Sequence, residues 1–523
     1  MFTVVVVDFF RIMVKIVKTI SFCILITVPR AQDDLDLVWS NEQILSPSET
    51  MDQKFPDVVI DDSGVMHIVW LEQHGNQKSI QYSSSADGGA SFNQPVQVNQ
   101  LNRHIIAYMQ SGPKIRNRDN ELFVIFMMHD ENEYPSVYMS YSSDGGQSWS
   151  EESEVSDQPY RNAYPDLEID ISGNLHLIYY NYSQNWGFVG AFYAVAFQFS
   201  SGFQTSIPMG ITNETQEPCD CCQPDLAVSN GSDIYVAYRN NITNHRDHYL
   251  VKKTQEDSTF SNPIQISAYE DYINFCPTSG PSLSLNDNLV SVSYFVHENN
   301  SSFVNYSSLN EIEFSNETIV HDNGYQQNHS HSILHDNFIH ITWIEHGLGN
   351  PDIFYGIMEI GNDELVNIRR VNQDSTSGEV TQKDPKLLWA DNSLFCFWSD
   401  GRSGLYQVYL SKATLDTQTV NIGHANSGIL PDSISLYPAY PNPFNPVITL
   451  HYNLPEDAIV SITIYDMMGR SVTTLVSSQQ TAGYKSVQWD ATNDAGAPVS
   501  AGLYLYMIEA GEFRQTKKMV LLK

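Results

Sequence analysis

One short phrase recurs seven times between residues 55 and 425, at a spacing of about 50–59 residues. It begins at a proline (Pro56, Pro113, Pro165, Pro224, Pro281 and Pro385, with His331 in the sixth place). An alternating apolar run follows, and an aromatic closes it 12 to 14 residues later (Trp70, Phe126, Tyr179, Tyr238, Tyr294, Trp343 and Trp398). A fixed period of this length means a repeat architecture. Alternation with period two, at about four strands per repeat, predicts an all-β propeller. In the first repeat, Asp61-Asp62-Ser63-Gly64 is the turn between strands A and B. Gly and Asn at such turns supply the positive φ that a tight hairpin requires. Seven blades are expected, with six as the alternative. Either residues 41–45 or residues 419–422 supply the outer strand of the last blade.

Two repeats carry an added signature between strands C and D. Ser85-Ala86-Asp87-Gly88-Gly89-Ala90-Ser91-Phe92 and Ser142-Ser143-Asp144-Gly145-Gly146-Gln147-Ser148-Trp149 both fit S-x-D-x-G-x-x-aromatic. Here the chain resembles the Asp-box family of sialidase-like propellers. The local logic is a turn in which Ser and Asp side chains bond backbone amides, glycines take unusual dihedrals and the aromatic plugs the blade. The resemblance implies that these turns, Ser85, Asp87, Gly89, Phe92, Ser142, Asp144, Gly146 and Trp149 among them, are structural and lie opposite the active face.

The formal net charge is −34. Phosphate binding needs a basic stripe, so nucleic acid is excluded as a partner. No acidic run has the carboxylate spacing of a calcium loop, and neither a metal nor a cofactor is expected. Residues 1–32 read as an export signal. Lys15 and Lys18 precede an apolar stretch at 19–28, and cleavage is expected near Arg30-Ala31-Gln32. Asp8 and Arg11 interrupt the apolar run before it, and Met13 offers an alternative start. No later segment has the length of a bilayer span, so no stable membrane span is expected after processing.

Past residue 425 the grammar changes, and residues 426–433 read as a linker. Tyr440-Pro441-Asn442-Pro443-Phe444-Asn445-Pro446, Ile464-Tyr465-Asp466-Met467-Met468-Gly469-Arg470, Gly502-Leu503-Tyr504-Leu505-Tyr506 and a basic finish from Lys517 follow in order. Residues 434–523 resemble the C-terminal sorting domain of the type IX secretion system. The resemblance implies a small immunoglobulin-like sandwich that engages that secretion machinery. The cargo would then cross the outer membrane of a Gram-negative bacterium and end released or at the cell surface. The residues alone give a β-sandwich, with strands at 448–452, 460–465, 484–489 and 503–508.

Propeller topology says where chemistry collects within residues 33–425. Strand A starts on one face and strand B returns to it, so the loops before A and after B converge around the channel mouth. These loops hold Glu72, His129, Tyr160, Arg161, Tyr182, Arg239, Arg246, Asp247, His297, Glu345, His346 and Arg402. Three readings follow. In a glycoside hydrolase of sialidase type, Arg161, Arg239, Arg246 and Arg402 clamp a carboxylate. Tyr160 or Tyr182 is the nucleophile, and Glu72, Glu298, Glu345 or Asp247 assists. The F/Y-R-I-P motif of the first sialidase arginine is absent, since Phe10-Arg11-Ile12-Met13 falls in the export segment. In a binding propeller, Tyr160, Tyr182 and Trp186 stack on sugar rings, with His129, His297 and His346 as further ligand contacts.

The third reading is a cysteine-stabilised site. Pro218-Cys219-Asp220-Cys221-Cys222-Gln223-Pro224 and Cys276-Pro277-Thr278-Ser279-Gly280-Pro281 resemble an uncharacterised subgroup of sialidase-like propellers. Both precede strand A, in blades 4 and 5, so a disulfide from Cys276 to Cys219, Cys221 or Cys222 is expected. A metal held with His245, His248, His329 or His331 is the weaker alternative, because C-x-C-C lacks paired zinc spacing. Cys396 reads as an inert buried thiol. The function expected is recognition of an extracellular glycan or glycoprotein on the axial face, with exo-sialidase-like hydrolysis as the alternative.

Overall fold

The computed structural model describes residues 37–415 and 434–522, apart from the short stretches 102, 109, 157–160, 198–202, 213–215, 269, 316, 348, 363, 375–379, 437–438, 440–443, 445, 482 and 512. The export signal, Cys23, Tyr160, the linker and residues 419–422 lie outside the described residues. The chain divides into two compact units, residues 1–417 and 418–523.

The described residues of the first unit form seven antiparallel sheets; six are meanders whose strands follow chain order, and the seventh takes its outer strand from the N-terminal segments. Strands A, B and C of blade 1 are Asp52–Ile60, Met66–His74 and Gln77–Ser85, and those of blade 7 are Gln382–Ala390, Ser393–Asp400 and Gln407–Leu415. The innermost strands meet in sequence, and that of blade 7 returns to blade 1. This is a closed propeller. Two N-terminal segments, Leu37–Trp39 and Gln43–Ile44, pair with strand C of blade 7. The outer strand of the last blade is thus split in two, and it begins upstream of the stretch expected from the sequence.

The middle of strand B is buried on both faces, its apolar residues interrupted by a few buried polar ones such as His67, Ser291 and His340. In blade 1, Met66, Ile68 and Trp70 pack with Phe395 and Phe397 of blade 7, while Val69 and Leu71 pack with Val124 and Phe126 of blade 2. One register assignment changes. His331 pairs with Thr342, one residue before Trp343, as Asp57 pairs with Val69, one residue before Trp70. His331 is therefore equivalent to the residue after the repeated proline, and Ser330 takes the proline place.

The two S-x-D turns close as the local argument expects. Ser85 Oγ donates to Asp87 Oδ1 at 2.8 Å and accepts from Gly89 N at 2.9 Å, while Ser91 N donates to Asp87 at 2.9 Å. Ser142, Asp144, Gly146 and Ser148 repeat the pattern. Phe92 and Trp149 pack into the cores between blades.

The second unit is a sandwich. One sheet orders Ser435–Leu436, Ile448–Leu454 and Gly483–Trp489; the other orders Ser471–Gln480, Ala458–Asp466, Gly502–Ala510 and Phe513–Leu521. Its core joins Ile448, Leu450, Ile462, Trp489, Tyr506 and Met519.

Candidate functional site

The position after the repeated proline (after Ser330 in blade 6) holds Asp57, Lys114, Asp166, Asp225, Ser282, His331 and Lys386, and all of these but the fully buried Asp166 line the channel cavity. Strand A is an edge strand whose amides face the channel, and five of these seven side chains accept a bond from the next blade. Ile115 N donates to Asp57 at 2.9 Å, Leu226 N to Asp166 at 2.9 Å, and Leu283 N to Asp225 at 2.6 Å. Ser332 N donates to Ser282 Oγ at 3.2 Å, and Leu387 N to His331 Nδ1 at 3.1 Å. The two lysines cannot accept, and they balance the carboxylates; Lys114 Nζ lies 3.8 Å from Asp166. Burial works against ionised Asp166, but Lys114 and Arg116 hold its pKa below the usual carboxylate range. Burial and the neighbouring Asp166 push Asp225 up to about 7.

Apart from His331, this ring was not among the residues singled out from the sequence, although its signal, the position after the proline, is legible there. The cavity along it, lined by Phe55, Gln110, Gln223, His329 and Asp384, measures about 60 Å³. That holds a few waters, far short of a small-molecule pocket.

Most of the proposed catalytic groups are locked within their own networks. Arg239 is fully buried. Its Nε donates to His248 at 3.0 Å, and Nη2 donates to the Phe295 carbonyl of blade 5. It therefore braces two blades and does not project toward the axis. Glu345, 3% exposed, accepts from Trp343 Nε1 at 3.1 Å and Asn323 at 2.7 Å, and sits 2.8 Å from His321 Nδ1. Arg402 forks onto Glu42 at 2.6 Å and Asp400 at 2.6 Å. Glu72, its pKa raised by burial, faces Gln53 of its own blade. Among the described residues, no hydrogen bond or ion pair joins any two of Glu72, Arg239, Glu345 and Arg402.

Arg246 and Asp247 are not paired. Arg246 bonds Cys219 Sγ and the Ile273 carbonyl, while Asp247 accepts the Asp271 amide at 2.8 Å. Tyr182 is 3% exposed and donates to the Asp220 carbonyl at 2.7 Å. It supports the loop above it and offers no ring to solvent. Cys276 bridges to Cys221, while Cys219, Cys222 and Cys396 are free and buried. The Cys219, Cys221 and Cys222 sulfurs lie within 4.8 Å, but the Arg246 guanidinium stands 2.8 Å from Cys219 Sγ, and its charge works against a cation there. The nominated imidazoles are engaged elsewhere: His248 with Arg239, His329 with the Thr278 carbonyl, His331 with Leu387, and His245 against Tyr272.

Other groups do present themselves. Arg161 stacks 4.2 Å over Trp186 and 5.0 Å over Tyr134, and Trp186 is 46% exposed. His129 lies beside this shelf, 5.0 Å from His104; burial and that neighbour lower its pKa. His297 packs edge-on to Phe275 at 5.0 Å. Burial lowers the pKa of His346. Of the exposed large aromatics in the propeller, Trp186, Tyr272, Phe275 and Tyr325 all lie on loops of the face where strand A begins, and Phe197 lies on the other. On the same face a shallow groove of about 420 Å³ runs past Asp52, Asn350, Thr381, Gly401 and Tyr406. Lys383 and Lys54 lie over the Tyr406 ring at 4.1 and 5.2 Å. Tyr406 was missed in the sequence because it stands at the far end of its loop, beyond the Gly404 turn.

A family profile described as FlgD Ig-like domain matches residues 446–512. No curated protein matches the chain. Among solved structures, the chain is similar to a protein of unknown function from Dyadobacter fermentans (TM-score 0.43, 11% identity, 72% of this chain and 99% of that one). A polysaccharide lyase, Uly1, has a TM-score of 0.45 at 10% identity, over 71% of this chain and 91% of that one. A Hadza microbial sialidase has a TM-score of 0.39 at 9% identity, over 67% and 77%.

Proposed function

We propose that the propeller recognises extracellular glycans on the face where its A strands begin, and that the C-terminal sandwich acts as a type IX sorting domain that delivers it. One observation carries the first part: among the described residues, four of the five exposed aromatics of the propeller lie on that face, where Arg161 covers Trp186 and where Lys54 and Lys383 cover the half-buried Tyr406, in a chain of net charge −34. Aromatic faces stack on the apolar faces of sugars, and flanking cations favour acidic ones. The internal pairing of Arg239, Arg402 and Glu345 favours recognition over hydrolysis, because a carboxylate clamp and an acid/base pair need groups free to meet substrate.

The test is a glycan array followed by titration calorimetry of the purified chain, with a turnover assay on every ligand found. Trp186→Ala and Tyr406→Ala should each weaken binding about tenfold, about 1.4 kcal/mol, with melting unchanged. No glycan bound, or binding indifferent to both substitutions, would reject the reading.

A further inference from the structure

Four cysteines meet where strand A of blade 4 begins. The Cys221–Cys276 bridge ties the segment before that strand to the segment before strand A of blade 5. Cys276 is exposed and Cys221 half-buried. Directly behind the bridge sit two buried thiols, Cys219 and Cys222, with their sulfurs 2.9 Å apart. Cys219 Sγ lies 3.5 Å from Cys221 Sγ. A disulfide and a dithiol are thus in contact through a C-x-C-C sequence.

The surroundings favour a thiolate at Cys219. Arg246 Nη1 donates to its sulfur at 2.8 Å, and the guanidinium is fixed by an Nε bond to the Ile273 carbonyl at 3.0 Å. Among the described residues, Arg239 Nη1 and Tyr180 Oη, both fully buried, have no hydrogen-bond partner, and both residues interact electrostatically with this cysteine pair. The close sulfur contact with Cys222, reinforced by Arg246, brings Cys219 down to about 7, while burial pushes Cys222 up. An attacking thiolate beside a thiol that can resolve the mixed product is the arrangement of thiol–disulfide exchange. Two guanidinium groups around the sulfurs work against a bound metal cation.

We propose that Cys219 and Cys222 are a redox-active dithiol that exchanges with the Cys221–Cys276 bridge. The Cys219 thiolate attacks Cys221 Sγ. A Cys219–Cys221 bond forms as Cys221–Cys276 breaks, and Cys276 leaves as a thiolate that takes a proton from water. Cys222 then attacks Cys219 as its proton passes to the departing Cys221 sulfur. A Cys219–Cys222 bond forms, and Cys221 leaves and is protonated. One disulfide and two thiols exist before and after, so no external oxidant or reductant is consumed. In the first isomer blades 4 and 5 are tied together; in the second they are released. The released segment carries Tyr272 and Phe275, both exposed on the axial face. The chemistry stands whether or not that face binds a glycan.

The experiment is acid quenching of the full chain, alkylation of free thiols, then reduction, a second alkylating label and tandem mass spectrometry. In the wild type, Cys276 should carry the first label in a measurable fraction of molecules, matched by protection of both Cys219 and Cys222. In Cys219→Ser that fraction should fall at least tenfold. Cys222→Ser, which keeps the attacking sulfur and Arg246, should release Cys276 with Cys219 and Cys221 protected, and it decides the matter if Cys219→Ser does not fold. Equal labelling of Cys276 in wild type and Cys219→Ser would overturn the proposal. So would complete first labelling of Cys219 and Cys222 beside a fully protected Cys276.

Discussion

Gly146 shows how strictly a single position can be specified. Its φ is +88°, in the left-handed region, and an added Cβ would lie inside the ring of Tyr82 from the neighbouring blade. Tyr82 cannot retreat, because its hydroxyl donates to the Gly145 carbonyl at 3.1 Å and sits 2.7 Å from His67 Nδ1. Gly145 has a similar φ of +70° but open space around it. Gly146→Ala therefore adds an overpacking cost to the backbone strain, about 2–4 kcal/mol together, whereas Gly145→Ala carries the strain alone, about 1 kcal/mol. Chemical denaturation of the two variants checks the difference, and equal losses would contradict this packing account. The S-x-D-x-G motif already sets Gly146 apart from Gly145, and the neighbouring blade supplies the physical reason. Arg239 teaches the converse. It stands at the end of an apolar strand, where a sequence reader expects a side chain released to solvent. Strand B ends on it, and His248 of strand C lies directly across, so the guanidinium is folded inward.

At the scale of the element, strand A carries the main structural invention. A strand that lines a channel must satisfy its amides without a partner strand, and here five of the seven side chains at this register position do so for the next blade. The acidic members carry a pH signature. Asp225 is raised to about 7, against ~3.9 in an unfolded chain. Between those values the folded protein holds a proton that the unfolded chain has lost. The stabilisation is full below about pH 4 and is lost as pH rises through about 7. Asp225→Asn keeps an oxygen to accept from Leu283 and removes the titration. The wild type should lose a few degrees of melting temperature between pH 5 and pH 8 that the variant does not lose, as scanning calorimetry would read. A second element-level pattern explains several histidines. His67, His176 and His340, each on strand B, bond Tyr82, Tyr193 and Tyr355 on strand C at 2.7 to 2.8 Å. Burial lowers the pKa of all three. They are blade fasteners, which is why counting imidazoles gave little guidance to a site.

For the whole propeller, closure is the decisive event. Leu37–Trp39 and Gln43–Ile44 join the two ends of the repeat array by pairing with strand C of blade 7. Glu42, between them, receives the Arg402 fork. Deleting residues 37–44 would expose the edge of Gln407–Leu415 and leave Arg402 without Glu42. The ring should then melt at least 5 °C lower and self-associate through the bare edge. Thermal melting with light scattering after size-exclusion chromatography would show it, and a monomer of unchanged stability would refute it.

The period, the turn glycines and the alternation of strand B were determined by the sequence alone, because each depends on neighbours within one blade. The sandwich was legible for the same reason, except for Ser471–Gln480 and Phe513–Leu521, whose polar faces hide the alternation. Which loop residues are free was decided only by tertiary structure. A carboxylate such as Glu345 and a guanidinium such as Arg402 look identical in sequence whether they await a ligand or close a network. Their partners, His321 and Glu42, lie 24 and 360 residues away: the first is brought in by the fold of blade 6, the second only by the closed ring.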